Sequence, residues 1–445
     1  MRMFQQKYLN KGVPLLHNNE LKYGIPILSN KDDNFIRSSY YGGATDYYKA
    51  YGENLYYYDV NSLYPYAMLN DMPLTIIKTY NHVQSQNINL NSFFGFLHVE
   101  VKCPDNIINP LLPLHKDGKT IFPKGKWNGV YFSEEIKECM KYGYKFKVLK
   151  AIQFSREKIF NDYINYWYNI KCNSKGAQRF IAKLHLNTLY GYFGRRQEEL
   201  ETTVILKKDI KVYAMKYIII NISDVSKNDL IITYLRNNNR INSKLNIGLE
   251  TTKFDLSTFS IIKSNVAIAS AVTSYARIHM MQFKNNHDIF YTDTDSIITS
   301  KPLDKSLIGN KIGLMKDELS GGIISKAYFL GIKKYGYQCN DKDYSVISGV
   351  PRNSISFNEI KNIFMGTPLT VNIQSRFYKN NRELSISIKN TFITIDNKQN
   401  KNLIDNKYIA PVVNLNNNLF KMKYIKYLSY ILNRIKITLN RIITP

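Results

Sequence analysis

Three stretches of the chain carry residue types that together could do phosphoryl-transfer chemistry. They are Asp59-Val60-Asn61-Ser62-Leu63-Tyr64-Pro65, then Lys183-Leu184-His185-Leu186-Asn187-Thr188-Leu189-Tyr190-Gly191, then Tyr291-Thr292-Asp293-Thr294-Asp295-Ser296. In such a reaction the attacking and leaving oxygens both carry negative charge, and two divalent ions about 3.5 to 4 Å apart stabilise both. Carboxylates are the hard oxygen ligands that suit Mg²⁺. Asp59 and Asp295 are the first choices to bridge such ions, with Asp293 in support. Residues two apart on a strand share a face, so the Asp-Thr-Asp spacing would aim both side chains at one cluster. A lone Asp-x-Asp is more often the mark of a turn or a solvated edge; the conjunction of the three stretches is what singles it out.

Lys183 and Asn187 lie four apart, with Arg179 a further turn back, so all three fall on one helical face. That row would hold a triphosphate and neutralise a departing pyrophosphate. On an arbitrary helix it would read as a solvated face, but Tyr190-Gly191 completes a pattern. His185 has no metal-ligand partner at helical spacing and reads as structural.

These groups need elements to position them. The aromatic run Asn54 to Val60 predicts a buried strand ending at Asp59, with Pro65 restricting the backbone beyond it. Alternation from Phe93 to Lys102 predicts a second strand closed by Pro104, and Ser133-Glu134-Glu135 opens a helix. Between Glu157 and Phe193 apolar spacing predicts two helices, the second from Gly176 to Tyr190 and ended by Gly191 and Gly194. A polar, Asn-rich excursion spans Asn221 to Asn246. The Ala-rich segment Ser264 to Phe283 predicts a helix leading into Ile289-Phe290-Tyr291, and Asn416 to Ile443 has the spacing of a basic amphipathic helix.

Composition fits a polyanionic partner: 61 Lys and Arg against 35 Asp and Glu give a formal charge of +26. The 35 tyrosines offer stacking surfaces for bases, although Asn, Ile, Lys and Tyr are abundant together, as an AT-rich gene would dictate. Cys103, Cys139, Cys172 and Cys339 form no Cys-x-x-Cys pair, so neither a structural zinc nor a disulfide framework is expected. No apolar run approaches the roughly 20 residues needed to span a bilayer, so no stable membrane insertion is expected.

The three stretches resemble the polymerase motifs of family B DNA polymerases, particularly the protein-primed branch of mitochondrial linear plasmids and some bacteriophages: Asp-x-x-Ser-Leu-Tyr-Pro, Lys-x-x-x-Asn-x-x-Tyr-Gly and Tyr-x-Asp-Thr-Asp-Ser. Tyr40-Tyr41-Gly42-Gly43 resembles that family's template-contacting Tyr-x-Gly-Gly element, and Lys333-Lys334-Tyr335 its Lys-x-Tyr element at the primer terminus. The resemblance covers roughly Tyr40 to Arg352. It implies a mixed α/β (α+β) right-hand fold with palm, fingers and thumb. It also implies template-directed addition of deoxynucleoside triphosphates to a DNA 3′ end, with two Mg²⁺ ions or Mn²⁺ as an alternative.

Carried over by position, the family makes Asp59, Asp293, Asp295 and Lys183 catalytic and Asp59 and Asp295 metal ligands. Val60, Ser62, Leu63, Tyr64, Lys171, Arg179, Asn187 and Tyr190 would bind nucleotide, with Tyr64 excluding a ribose 2′ hydroxyl. Tyr40, Gly42, Gly43, Lys333 and Tyr335 would bind DNA. Implied segments are a short N-terminal remnant at 1–39, palm at 40–84, a priming-type insertion at 85–155, fingers at 156–197, a second insertion at 198–255, palm at 256–352, and thumb with basic tail at 353–445. Implied partners are DNA template and primer, deoxynucleoside triphosphates and a terminal protein primer. Thr188 stands where the family more usually has Ser, and no Asp-x-Glu pair precedes Tyr40, so no proofreading is expected of this polypeptide. The shortening keeps open the alternative of a decayed, non-catalytic DNA-binding remnant. Residue usage points to a mitochondrial gene. An RNA polymerase or reverse transcriptase is disfavoured by Tyr64 and the Lys183 helix.

Overall fold

Tyrosines and β-favouring residues draw Tyr51–Val60 into the strand around which the site is organised. It pairs antiparallel with Ser296–Thr299 on one side and with Met315–Asp317 and Ile324–Gly331 on the other. Ile289–Thr294 and then Ala44–Tyr47 extend this sheet one way, and Lys334–Cys339 and Lys342–Ile347 extend it the other. The computed structural model describes residues 4, 14–17, 20–23, 25–196, 200–235, 264–380, 385–398 and 400–414. The expected helix from Asn416 to Ile443 and the 236–246 part of the Asn-rich excursion lie outside them.

The chain forms two compact units. One comprises Met1–Arg195, Lys263–Val371 and Ile393–Leu415, the other Arg196–Ile262, Asn372–Phe392 and Asn416–Pro445. In the first unit the helix Val266–Asn286 runs through the core. The Asn265 side chain caps it, accepting from the Ala267 amide at 3.0 Å, and fully buried Ala267, Ala269, Ala271 and Ala276 let neighbouring helices approach closely. Those neighbours are Asn30–Arg37, Leu63–Met68, Ser133–Lys141 and Gly176–Phe193. Pro65 is tolerated because it sits in the first turn of Leu63–Met68, where backbone amides have no intrahelical acceptor.

The helical pair is Asn161–Asn173 and Gly176–Phe193. The second helix outruns its expected end: Gly191 is helical, and Gly194 caps it at φ −78°, outside the left-handed region. Packing overrides the glycine signal, because Phe193 is buried against Phe4 and Phe160.

A second sheet has the order Val412–Val413, Lys124–Phe132, Gly95–Lys102, Lys145–Glu157, Met72–Tyr80. It therefore begins before residue 85, where the insertion was expected to start, because Met72–Tyr80 pairs with Lys145–Glu157. Other segments are also drawn inward. Residues 30–37, expected as part of a remnant, bury Ile36, and Arg37 binds Asp33 at 2.9 Å and the Gly194 carbonyl at 2.8 Å. Residues 400–413, expected in the thumb and tail, run back along the first unit, where Lys401 meets Asp46 at 2.6 Å and Tyr408 is buried against Tyr47. The second unit holds an antiparallel sheet ordered Leu200–Leu206, Asp229–Leu235, Ile218–Asp224. No helix among the described residues is long and apolar enough to cross a membrane.

Two helices of the first unit are joined by a buried ion pair. Arg277, on the long helix, meets both oxygens of Glu135, on the helix Ser133–Lys141, at 2.6 and 2.7 Å. Both side chains are essentially inaccessible, at 1% and 0%. Arg277 also donates to the carbonyls of Tyr41 and Gly42 at 3.0 and 2.7 Å, so its donors are satisfied. Glu135→Gln should cost about 3 to 5 kcal/mol by leaving the guanidinium buried and unpaired, whereas the double change Glu135→Leu with Arg277→Met should recover most of that loss. Urea unfolding of the two variants tests the pair.

Candidate active site

The end of Tyr51–Val60 is pinned by backbone. The Val60 amide donates to the Asp295 carbonyl at 2.7 Å, the Asn61 amide to Leu314 at 2.9 Å, and the Asn61 side chain to Gly309 at 2.6 Å. Ser62 then turns through the left-handed region, at φ 58°, into the helix Leu63–Met68. Across the ladder Asp59 stands opposite Ser296 on one side and Lys316 on the other. Sheet register, rather than proximity in sequence, thus puts Asp59 beside Asp295.

Asp293 and Asp295 do not share a strand face as alternation would have them. The strand ends at Thr294, whose φ of 66° makes it the centre of a γ-turn closed by the Asp295 amide donating to the Asp293 carbonyl at 2.7 Å. The turn reverses the chain and separates the two roles. Asp293 is taken up by Lys333, at 2.7 and 2.8 Å, and by the Thr45 hydroxyl at 3.1 Å. Asp295 stays beside Asp59.

A cleft of about 770 Å³ gathers these residues. Of those expected from sequence, Asp59, Val60, Ser62, Leu63, Tyr64, Lys171, Arg179, Lys183, Asn187, Tyr190, Asp293, Asp295, Lys333 and Tyr335 line it. Tyr64 stacks on Tyr190 with ring centres 4.3 Å apart, and Lys171 reaches from the helical pair to the Ser62 hydroxyl at 2.6 Å. Val60 lines the wall without a free amide, since that amide is spent on Asp295. Arg179 is similarly engaged, donating to the Lys171 carbonyl at 2.9 Å. Tyr40, Gly42 and Gly43 stand outside the lining. Gly43 and Tyr40 pack behind it instead: a Cβ on Gly43 would lie 2.5 Å from the Thr294 methyl, and one on Gly194 would lie 2.7 Å from the Tyr40 ring, while the Gly42 carbonyl accepts from Arg277.

Sequence reasoning missed Lys316, Glu318, Ser348 and Arg352, which also line the cleft. Lys316 and Glu318 pair at 2.8 Å. Their only signal was a Lys-Asp-Glu run, which resembles any solvated strand edge.

Six Lys and Arg side chains line the cleft with four carboxylates, and the carboxylates crowd one another. Burial, then the Asp295 and Glu318 carboxylates, push the Asp59 carboxyl up to about 7 against the pull of Lys316 and Lys183. Asp295 is also raised, by burial first and by Asp293, against its own amide, Lys333 and Lys183. Burial, with Arg179 and Lys183 nearby, lowers Lys171. No three His, Cys, Asp or Glu side chains converge on a cation position among the described residues. Two mutually repelling carboxylates facing a polar cleft nevertheless fit Mg²⁺, which is commonly bound through one or two carboxylates while substrate phosphates and water fill its other positions.

A family model for type B DNA polymerases, organellar and viral, matches residues 1–290. The chain belongs to that family. The probable DNA polymerase of Podospora anserina is 34% identical over 395 residues, covering 83% of this chain and 32% of that protein. The probable DNA polymerase of Neurospora intermedia is 32% identical over 413 residues, covering 88% and 39%. This type B chain thus spans about a third of the length of those relatives. Its fold is the right-hand polymerase fold. Phi29 DNA polymerase in a ternary complex with primer-template DNA and incoming nucleotide superposes with a TM-score of 0.59 at 18% identity, covering 84% of this chain and 64% of that one.

The raised Asp59 carboxyl has a consequence for stability. Its neutral form is the one folding favours, so stability is retained below the ordinary carboxylate range and lost as pH rises towards about 7. In chelator, Asp59→Asn should therefore raise Tm at pH 8, with the gain shrinking towards pH 4. Adding Mg²⁺ at pH 8 should raise Tm in the parent more than in the variant. Thermal scans at both pH values check this.

Proposed function

We propose that this chain is a DNA-directed DNA polymerase that adds deoxynucleoside triphosphates to a DNA 3′ end by two-metal nucleotidyl transfer. The observation that carries the reading is the convergence of Asp59, Asp295 and Lys183 from three distant stretches on one cleft. In this reading the eight-stranded sheet is the palm and the pair Asn161–Asn173 and Gly176–Phe193 the fingers. Asp59 and Asp295 would hold divalent ions, which when bound supply positive charge at the attacked and departing oxygens.

The rest is done by the chain's own groups. Lys183, with Lys171 and Arg179, neutralises the triphosphate, and Asn187 orients it. Lys171 exchanges the Ser62 hydroxyl for a phosphate oxygen, and the amides of Ser62 and Leu63 remain for the same task once that of Val60 is committed. The Tyr64 ring, held by its stack on Tyr190, forms the floor beneath the incoming sugar and blocks a 2′ hydroxyl by shape. Asp293 anchors Lys333 near the primer terminus, while Tyr40-Tyr41-Gly42-Gly43 guides the template strand behind the Thr294 turn.

We assign the protein to organellar DNA replication, of linear-plasmid type, in mitochondria. The organellar and viral family and the AT-biased residue usage support this. A terminal protein is the primer this reading implies.

Primer extension by the purified chain, with Mg²⁺ and all four deoxynucleotides, tests the proposal. Extension should occur and should fall by at least a thousandfold in Asp59→Ala and Asp295→Asn, with DNA binding kept, the loss expected when charge stabilisation of the reacting oxygens is removed. DNA binding without extension in the parent would favour a non-catalytic remnant. Tyr64→Ala should raise ribonucleotide incorporation relative to deoxynucleotide; an unchanged ratio would remove Tyr64 as the sugar gate.

A further inference from the structure

The outward face of the second sheet carries a row of lysines that nothing in the site explains. Antiparallel register places Lys102 directly opposite Lys145 on one neighbouring strand and directly opposite Lys126 on the other. The next outward row is Asn128, Glu100 and Lys147, and beyond it buried Val130 stands opposite His98, with Lys150 on its other side. Lys102, Lys126, Lys145 and Lys147 are exposed, and among the described residues none of the four makes an ion pair. Lys150, at the far end, lies over the Phe35 ring at 4.5 Å.

Like charges directly opposite across a ladder destabilise it, and three abreast do so twice. Lysines are placed on sheet edges to prevent aggregation, and that explanation reaches Lys145, which lies beyond the stretch paired with Met72–Tyr80, but not Lys102. Gly95–Lys102 is the middle of five strands, flanked on both sides. An external anion across the row would relieve it.

We propose that Lys126, Lys102 and Lys145, with Lys147 beside them, form a docking surface for the phosphate backbone of DNA, separate from the cleft. Two features favour nucleic acid over an acidic protein. Protein interfaces are depleted in lysine and centred on apolar or aromatic groups, and these three strands expose no large hydrophobic side chain. The face offers several mobile cations and one carboxylate, Glu100, which suits sequence-independent phosphate contact. The surface would hold DNA outside the reacting site and lengthen its stay, so its purpose rests on the polymerase reading.

The test uses the full chain and the triple variant Lys102→Gln, Lys126→Gln, Lys145→Gln, with a labelled DNA duplex titrated by fluorescence anisotropy across a salt series. Each phosphate contact contributes about 0.9 to the slope of log affinity against log salt on duplex DNA, so the variant's slope should be shallower by about 2 to 3. Its affinity should fall for every sequence tried, its Tm should stay equal or rise as repulsion is relieved, and single-nucleotide insertion at saturating DNA should be unchanged. A slope equal to the parent's overturns the proposal and leaves the polymerase reading standing. So does a variant that loses only competition by polyglutamate, which would assign the face to an acidic protein. Failure of the parent to bind DNA at all overturns both.

Discussion

The repulsion between Asp59 and Asp295 is the constraint on which this structure turns. Two half-buried carboxylates, both raised by burial and Asp59 further by Asp295 beside it, would separate if the chain allowed it. It does not, because backbone fixes both: Asp59 is paired opposite Ser296 in the ladder, and the Asp295 carbonyl at the turn accepts from the Val60 amide at 2.7 Å. The antiparallel sheet spends its stability on holding this unfavourable pair together, a familiar trade at functional sites. The remaining charges of the cleft depend on that choice, since Lys183, Lys316 and Lys333 approach the acidic turn without cancelling it.

Elsewhere the same chain treats buried charge in the opposite way. Arg277 and Glu135 meet in bidentate geometry with every spare donor satisfied, and they bind the helix Ser133–Lys141 to the long helix and to the Tyr41 and Gly42 carbonyls. Lys284, also buried and lowered to about 8 by that burial, lies over the Phe122 ring at 4.1 Å and donates to the Pro110 carbonyl at 2.8 Å. These buried charges outside the cleft thus have polar partners, while the crowded carboxylates lie within it.

Much of the site was legible in the sequence because its chemistry is written in contiguous motifs. The three stretches carry their own spacing, and the strand, helix and turn around them obey local rules. The hidden part is non-local. Lys316 and Glu318 owe their place to register with Asp59, and the Asp293 and Asp295 side chains part because Thr294 adopts a backbone conformation that alternation does not anticipate. The helix that runs past Gly191 does so for the burial of Phe193, and the second sheet recruits Met72–Tyr80 by pairing across many residues. Spacing in sequence reveals what a segment can do, whereas a partner strand decides which way its side chains face.

Thr294 is a branched residue in a conformation that normally favours glycine, and its methyl fills the space left by the absent side chain of Gly43. The two therefore behave as knob and hole across a sheet seam. A glycine at 294 would relax the turn but open a void, and a larger residue at 43 would evict the methyl. Neither position has an independent route to change, so drift at this seam would have to proceed through paired substitutions, and chains of this kind should differ there at both sites or at neither.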